Sequence, residues 1–206
     1  MAPRPTLRRE RALWAQGLRY VVGLDEVGRG PLAGPVVAAA VVFPPGQRAI
    51  RGLRDSKELT PKERERLGHL VRRAAVGWAV AAASVKEIDR VNIRRATALA
   101  FRRSLARLSL PVDYILLDGT ALPELGRPHE AIVDGDACCS SIAAASVLAK
   151  LVRDRLMDRL AARYPAFHWE ANKGYGTADH LAALEADGPT PHHRMSFTPV
   201  VQLRML

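Results

Sequence analysis

The sequence predicts an α/β domain built as a mixed sheet with helices packed on its faces. Three observations carry this. Short runs rich in β-branched residues, bounded by glycine and proline, recur along the chain. Segments with helix caps and apolar residues at helical spacing lie between and after them. A length of 206 residues, 48% hydrophobic and 25% charged, suits one domain with a sizeable core.

Taken in order, residues 1–18 read as a basic lead-in that could be mobile, and residues 19–206 as the main domain. "YVVGLDEV" and "PVVAAAVVF" form two neighbouring buried strands. Thr60-Pro61-Lys62-Glu63 combines a Thr cap, Pro at the first helical position and Glu three residues after the cap. That capping box opens a helix to about Arg73. Val76–Val85 is a third strand. Ser84 and Glu87 stand at the same capping spacing before a helical segment, and a longer helix covers roughly Asn92–Leu108. "VDYILLD" (112–118) and "EAIVDGD" (130–136) are strands four and five, each ending on acids. "SSIAAASVLAKLVRDRLMDRLAARY" is a long helix with one apolar stripe (Ile142, Ala145, Leu148, Val152, Leu156, Leu160) and an arginine-rich outer face. Thr177–Asp187 is a last helix, closed by Gly188 and Pro189.

The charge balance narrows the partners. Thirty-one Lys+Arg against 21 Asp+Glu leave +10, and only five of the 31 are lysines. Such a surface suits a polyanion, although arginine richness can equally reflect genome composition. The two cysteines are the vicinal pair Cys138-Cys139, a poor structural disulfide and too few for a zinc cage. A reduced, cytoplasmic setting follows. The opening segment has no apolar core of a secretory signal, and no apolar run is long enough to span a bilayer.

Four acids interrupt this pattern where apolar runs give way to glycine: Asp25 and Glu26 in "LDEVGRG", Asp118 in "LLDGT" and Asp136 in "VDGDA". Asp118 and Asp136 can each be read as a simple turn residue. The adjacent Asp25-Glu26 has no such explanation. Successive strand residues face opposite sides, so these two converge only if the strand ends there. If three of the strands are neighbours, four carboxylates meet, and like charges so close require protonation or divalent cations. An oxygen-only set suits Mg²⁺ or Mn²⁺, and phosphodiester chemistry uses two such ions about 4 Å apart.

Gly28-Arg29-Gly30 is no dinucleotide fingerprint, because a strand follows where a helix is required. Glycines do permit close backbone approach to a ligand, and the arginine offers five donors to phosphate or a base.

Six blocks in order resemble bacterial type 2 ribonuclease H (ribonuclease HII): "GLDEVGRGPLAGPVVAAAV", "DSKELTPKERERL", "LLDG", "GDACCSSIAAASVLAKLVRDRLM", "YPAFHWEANKGYGTADHLAAL" and "GPTPHHRMSF". The resemblance runs from about Tyr20 to Val200. It implies a ribonuclease H-like fold, a five-stranded mixed sheet flanked by helices with a C-terminal helical extension. It also implies an Mn²⁺- or Mg²⁺-dependent endonuclease, cutting RNA in RNA–DNA hybrids and 5′ of single ribonucleotides in duplex DNA. The products would carry 3′-hydroxyl and 5′-phosphate ends, the enzyme would be a monomer, and its role would be ribonucleotide removal from DNA.

Carried over residue by residue, the metal-holding and catalytic acids are Asp25, Glu26, Asp118 and Asp136. Gly28, Arg29 and Gly30 would cradle the nucleotide whose 2′-hydroxyl marks it as RNA. Tyr175 resembles a tyrosine that stacks at the scissile junction. The Asp55-Ser56-Lys57 backbone, Lys150, Lys173, His193 and Arg194 are candidate phosphate contacts, though singly each also suits a solvated surface charge.

One departure matters. The family usually carries lysine two residues before the last acid, and here that place is Asp134, which adds negative charge and could compete as a ligand. Trp169 reads as local variation without chemical consequence. The sister family, ribonuclease HIII, is disfavoured by Arg29, where it has lysine, and by the short lead-in. An unrelated two-metal hydrolase would ignore the 2′-hydroxyl. A silent duplex binder gains nothing from four acids facing a polyanion.

Overall fold

The computed structural model describes residues 4–203; residues 1–3 of the lead-in and 204–206 lie outside the described residues. Five strands form one sheet: β1 (Val21–Val27), β2 (Val36–Val42), β3 (Gly77–Ala83), β4 (Tyr114–Asp118) and β5 (Glu130–Ile132). Their order is β3-β2-β1-β4-β5. The first three pair antiparallel, and β4 joins β1, and β5 joins β4, in parallel. The predicted mixed sheet is therefore correct, and every expected strand is present.

The helices are α1 (Arg8–Ala15), α2 (Pro61–Ala74), α3 (Val85–Val91), α4 (Ile93–Ala106), α5 (Gly135–Cys138), α6 (Ser140–Arg163), α7 (Trp169–Asn172), α8 (Ala178–Asp187) and α9 (Thr198–Leu203). Both capping boxes form as read. The Thr60 hydroxyl accepts from the Glu63 amide at 3.3 Å, and the Thr60 amide donates to Glu63 at 2.9 Å. Ser84 and Glu87 repeat the arrangement. Asn92, at positive φ, caps α4.

β2 is buried along its whole length because both sheet faces are covered. Val36, Ala38 and Ala40 pack towards Ala96, Ala100 and Phe101 of α4. Val37, Ala39 and Val41 pack towards Ala144, Leu148 and Leu151 of α6. Helix α6 crosses β1 at Gly23, where a Cβ would lie 2.2 Å from the Ser141 carbonyl carbon, so only glycine admits the helix at that distance. Among the described residues, no helix is long and apolar enough to cross a membrane.

Four sequence expectations need correction. The long helix α6 does not carry one stripe. Ser140–Ala149 is buried all round, since the helix runs through the middle of the molecule, and farther along it is Leu151, Arg153, Met157 and Ala161 that are buried. Val152, Leu156 and Leu160 are only partly covered. Arg153 also leaves the predicted arginine face: it is fully buried, donating to the carbonyls of Pro35, Lys173 and Ala33. Part of the lead-in is docked, as α1, with Leu7 and Glu10 buried. Finally, Thr177–Asp187 is not the last helix, because α9 follows it.

Candidate active site

Strand β1 continues through Val27, so the expected strand end at Glu26 is absent. The acids converge for another reason. Pairing of β1 with β4 stops at Leu24–Leu117, and β4 itself ends at Asp118. Beyond that point β1 has β2 on one side only, leaving a gap at the carboxyl ends of two parallel strands. Crevices of this kind are where open α/β sheets bind ligands.

Asp136 reaches the gap from a helix, not from a strand end. β5 stops at Ile132, and Asp134 adopts φ 52° and turns the chain into α5. The turn is fastened to β4 by the Gly135 amide, which donates to Asp118 Oδ1 at 2.8 Å. Strand alternation therefore does not relate Asp134 to Asp136: Asp136 is buried and Asp134 points to solvent.

Asp25, Glu26, Asp118 and Asp136 line one cavity of about 420 Å³, together with Ser56, Lys57, Lys150 and Tyr175. Burial pushes the Asp25 carboxyl well above its usual range, and the charges of Glu26 and Asp118 add to this. Burial also raises Glu26, against the pull of Arg29, whose Nη1 is 3.4 Å away. Asp118 is raised by burial despite amide bonds from Gly135 and Asp136. Asp136 is pushed up to about 6 by burial and by Asp55 and Asp118. The cluster is thus electrostatically frustrated, although Lys57, Arg64 and Lys150 line the same cavity. Burial works against the Lys57 ammonium, yet Asp55, Asp136, Asp25 and Asp118 raise its pKa overall. Among the described residues, no three Asp, Glu, His or Cys side chains form a ready-made metal-holding group. As a donor set the four acids are oxygen-only and anionic, the chemistry that hard divalent cations take.

The other predicted residues divide. Tyr175 is 47% exposed, and its ring lies beside Gly30. Arg29 is exposed and does not line this cavity; with Glu26 and Asp118 it lines a small neighbouring pocket. Lys150 faces the cavity but donates to Asp154 at 2.7 Å, and burial lowers its pKa. Lys173 does not line the cavity and is ion-paired to Asp158. Arg194 and His193 are 0% and 1% exposed, so neither can meet a phosphate as placed. Arg194 instead donates to the carbonyls of Gly28, Arg29 (2.8 Å) and Gly34 (2.9 Å), holding the Gly-Arg-Gly loop from beneath. Arg153 fills the space beside Gly28, where φ is +93° and a Cβ would meet its Nε at 2.1 Å. Trp169, read as incidental, is fully buried and donates to His180 at 3.2 Å.

Sequence reasoning missed Ser146, whose hydroxyl meets that of Ser56 at 2.9 Å beside Asp25, and Arg64, which donates to the Ser56 carbonyl at 3.0 Å. A lone polar residue inside "AAASVLA" was the available signal for Ser146.

A family model described as Ribonuclease HII matches residues 22–200. Proteins named Ribonuclease HII are similar over nearly the whole chain. That of Thiobacillus denitrificans is 55% identical over 178 residues, covering 86% of this chain and 87% of that protein. That of Sphingopyxis alaskensis is 51% identical over 201 residues, covering 97% and 100%. Among solved structures, the ribonuclease H2 of Pyrococcus horikoshii OT3 superposes with a TM-score of 0.73 at 25% identity, covering 90% of this chain and 97% of that one. Bst ribonuclease HIII in complex with Mn²⁺ superposes at 0.70 and 20% identity, covering 95% and 73%.

Proposed function

The chain belongs to the ribonuclease HII family, endoribonucleases of RNA–DNA substrates, and from this and the carboxylate cavity we propose a divalent-metal-dependent nuclease that also incises 5′ of single ribonucleotides in duplex DNA. The observation that carries the reading is the meeting of four acids from β1, β4 and α5 in one cavity that Tyr175 and Lys57 also line. The donor set fits Mg²⁺ or Mn²⁺, and the Mn²⁺ complex of a protein with this fold supports that choice.

Asp25, Glu26, Asp118 and Asp136 are the metal-holding and catalytic residues. Two bound cations would supply water activation and neutralise charge on the leaving 3′-oxygen, giving 3′-hydroxyl and 5′-phosphate ends. The chain's own groups position the substrate. Gly28, Arg29 and Gly30 offer backbone and guanidinium donors to the nucleotide bearing the 2′-hydroxyl. Tyr175 stacks at the junction. Ser56 and Lys57, with Lys150 once released from Asp154, contact the phosphate backbone. The role is ribonucleotide removal from DNA, by a monomer, in the reducing cytoplasm that two free cysteines suit.

A labelled RNA–DNA hybrid incubated with Mg²⁺, Mn²⁺ or chelator tests the metal requirement. Cleavage with either ion and none with chelator is expected. Undiminished cleavage in chelator would remove the cations from the mechanism.

A further inference from the structure

Asp136 rides on a helix of four residues, too short to hold its own shape in water. One end of that helix is gripped by Asp118 through the Gly135 amide. The other end is gripped by the N-terminal segment. The Thr6 amide donates to the Cys138 carbonyl, and the Ser140 amide donates to the Thr6 carbonyl, both at 3.0 Å.

Glu10 completes this grip. It is 1% exposed, and its Oε1 accepts from both the Ser141 amide (2.8 Å) and the Ser141 hydroxyl (2.7 Å). Cys139, at the cap position of α6, makes no side-chain cap bond. The cap of the 24-residue helix therefore comes from α1, 131 residues away in sequence. First-turn amides lack intrahelical partners and favour an anion. Arg9, next to Glu10, is ion-paired to Glu130 on β5, the strand that leads into Asp134 and Asp136.

Packing alone does not account for an acid here. The second oxygen, Oε2, is buried with no hydrogen-bond partner, and a buried idle acceptor is costly. An apolar side chain would fill the space without that penalty. What the carboxylate adds is a fixed junction between α5 and α6.

We propose that Glu10 is a positioning residue: by capping α6 from the N-terminal helix it sets where the Asp136 carboxylate stands relative to Asp118. The inference rests on the reading that Asp136 belongs to the hydrolytic site, and it gives the basic lead-in a task in catalysis.

The test compares wild type with Glu10→Ala, Glu10→Gln and Asp136→Asn, using hybrid cleavage and amide hydrogen exchange of the metal-free proteins. Loss of a helix cap costs about 1 kcal/mol, so Glu10→Ala should lower kcat about fivefold, leave KM within about twofold, and speed exchange over residues 135–141 by about fivefold. Exchange in β1 and β2 should not change. Glutamine keeps an acceptor at Oε1, so Glu10→Gln should recover most of kcat. The proposal is overturned if kcat and exchange at 135–141 match wild type in Glu10→Ala, or if activity falls only as exchange rises throughout the protein. Should Glu10→Ala not fold, Glu10→Leu, which fills the space without an acceptor, takes its place with the same two readouts and the same criteria. A wild type that cuts nothing would refute the functional reading instead, while exchange still decides whether Glu10 holds the junction.

Discussion

The fully buried guanidinium of Arg194 donates from Nη1 to the backbone carbonyl of Arg29 at 2.8 Å, joining the "HHRMSF" segment to the loop that borders the carboxylate cavity. The loop's own residues make few other bonds, and Arg29 is exposed. Arg194→Lys replaces a fork with a single ammonium that cannot reach three carbonyls. Hydrogen bonds to charged groups are worth about 1.5–3 kcal/mol, so a loss of about 3 kcal/mol in denaturant unfolding is expected. KM for the hybrid should rise while saturated kcat changes less. An unchanged KM would separate the loop from substrate binding.

Tyr175 has one side against Gly30 and the other open to solvent. Base–aromatic stacking is worth about 1–3 kcal/mol, so Tyr175→Ala should raise KM by about tenfold or more, and Tyr175→Phe should stay within about twofold of wild type. A phenylalanine variant as weak as alanine would mean that the hydroxyl, not the ring, makes the contact.

His193 lies in a buried network: its Nδ1 accepts from the Thr190 amide at 2.9 Å, and its Nε2 meets His180 Nε2 at 3.0 Å. Burial, with the neighbouring His180, pushes its pKa down to about 4. A base depressed in the folded state contributes stability that is present above its unfolded pKa near 6.5 and is lost as pH falls through 4. The buried carboxylates, raised in the folded state, act in the opposite sense, so the measurement is a difference. The stability advantage of wild type over His193→Gln should shrink by about 3 kcal/mol between pH 7 and pH 4. A pH-independent difference would show that His193 is not the titrating group.

Asp134 is exposed at φ 52°, immediately before the helix that bears Asp136, and its charge raises the Asp118 pKa. Asp134→Lys exchanges repulsion of the phosphate backbone for attraction. It should lower KM about threefold at low salt, with a steeper salt dependence, and leave kcat within about twofold. Loss of kcat would instead mark Asp134 as part of the metal site.

Much of this was legible because it is written locally. Both capping boxes and the β-branched runs specify their elements through neighbours a few residues away, and those elements formed as read. The acids stood out because Asp25 and Glu26 break an apolar strand. What escaped is nonlocal. Nothing in "VDGDA" shows that the strand ends at Ile132 and that Asp136 sits on a helical turn, since the turn is held by Asp118 and Thr6. Arg153 and Arg194 look like any surface arginine until the carbonyls they satisfy are in place. Glu10 is one acid in a basic stretch, and its partner is 131 residues away.

The most direct measurement is incision of a labelled DNA duplex carrying one ribonucleotide, beside an all-DNA duplex, by wild type and Asp136→Asn. A cut 5′ of the ribonucleotide that needs Mg²⁺ or Mn²⁺, none in plain DNA, and a turnover reduced at least about a hundredfold in Asp136→Asn with binding retained are expected. Equal cutting of both duplexes, or equal loss of binding and turnover in Asp136→Asn, would contradict the assignment of the carboxylate cavity as a ribonucleotide-directed hydrolytic site.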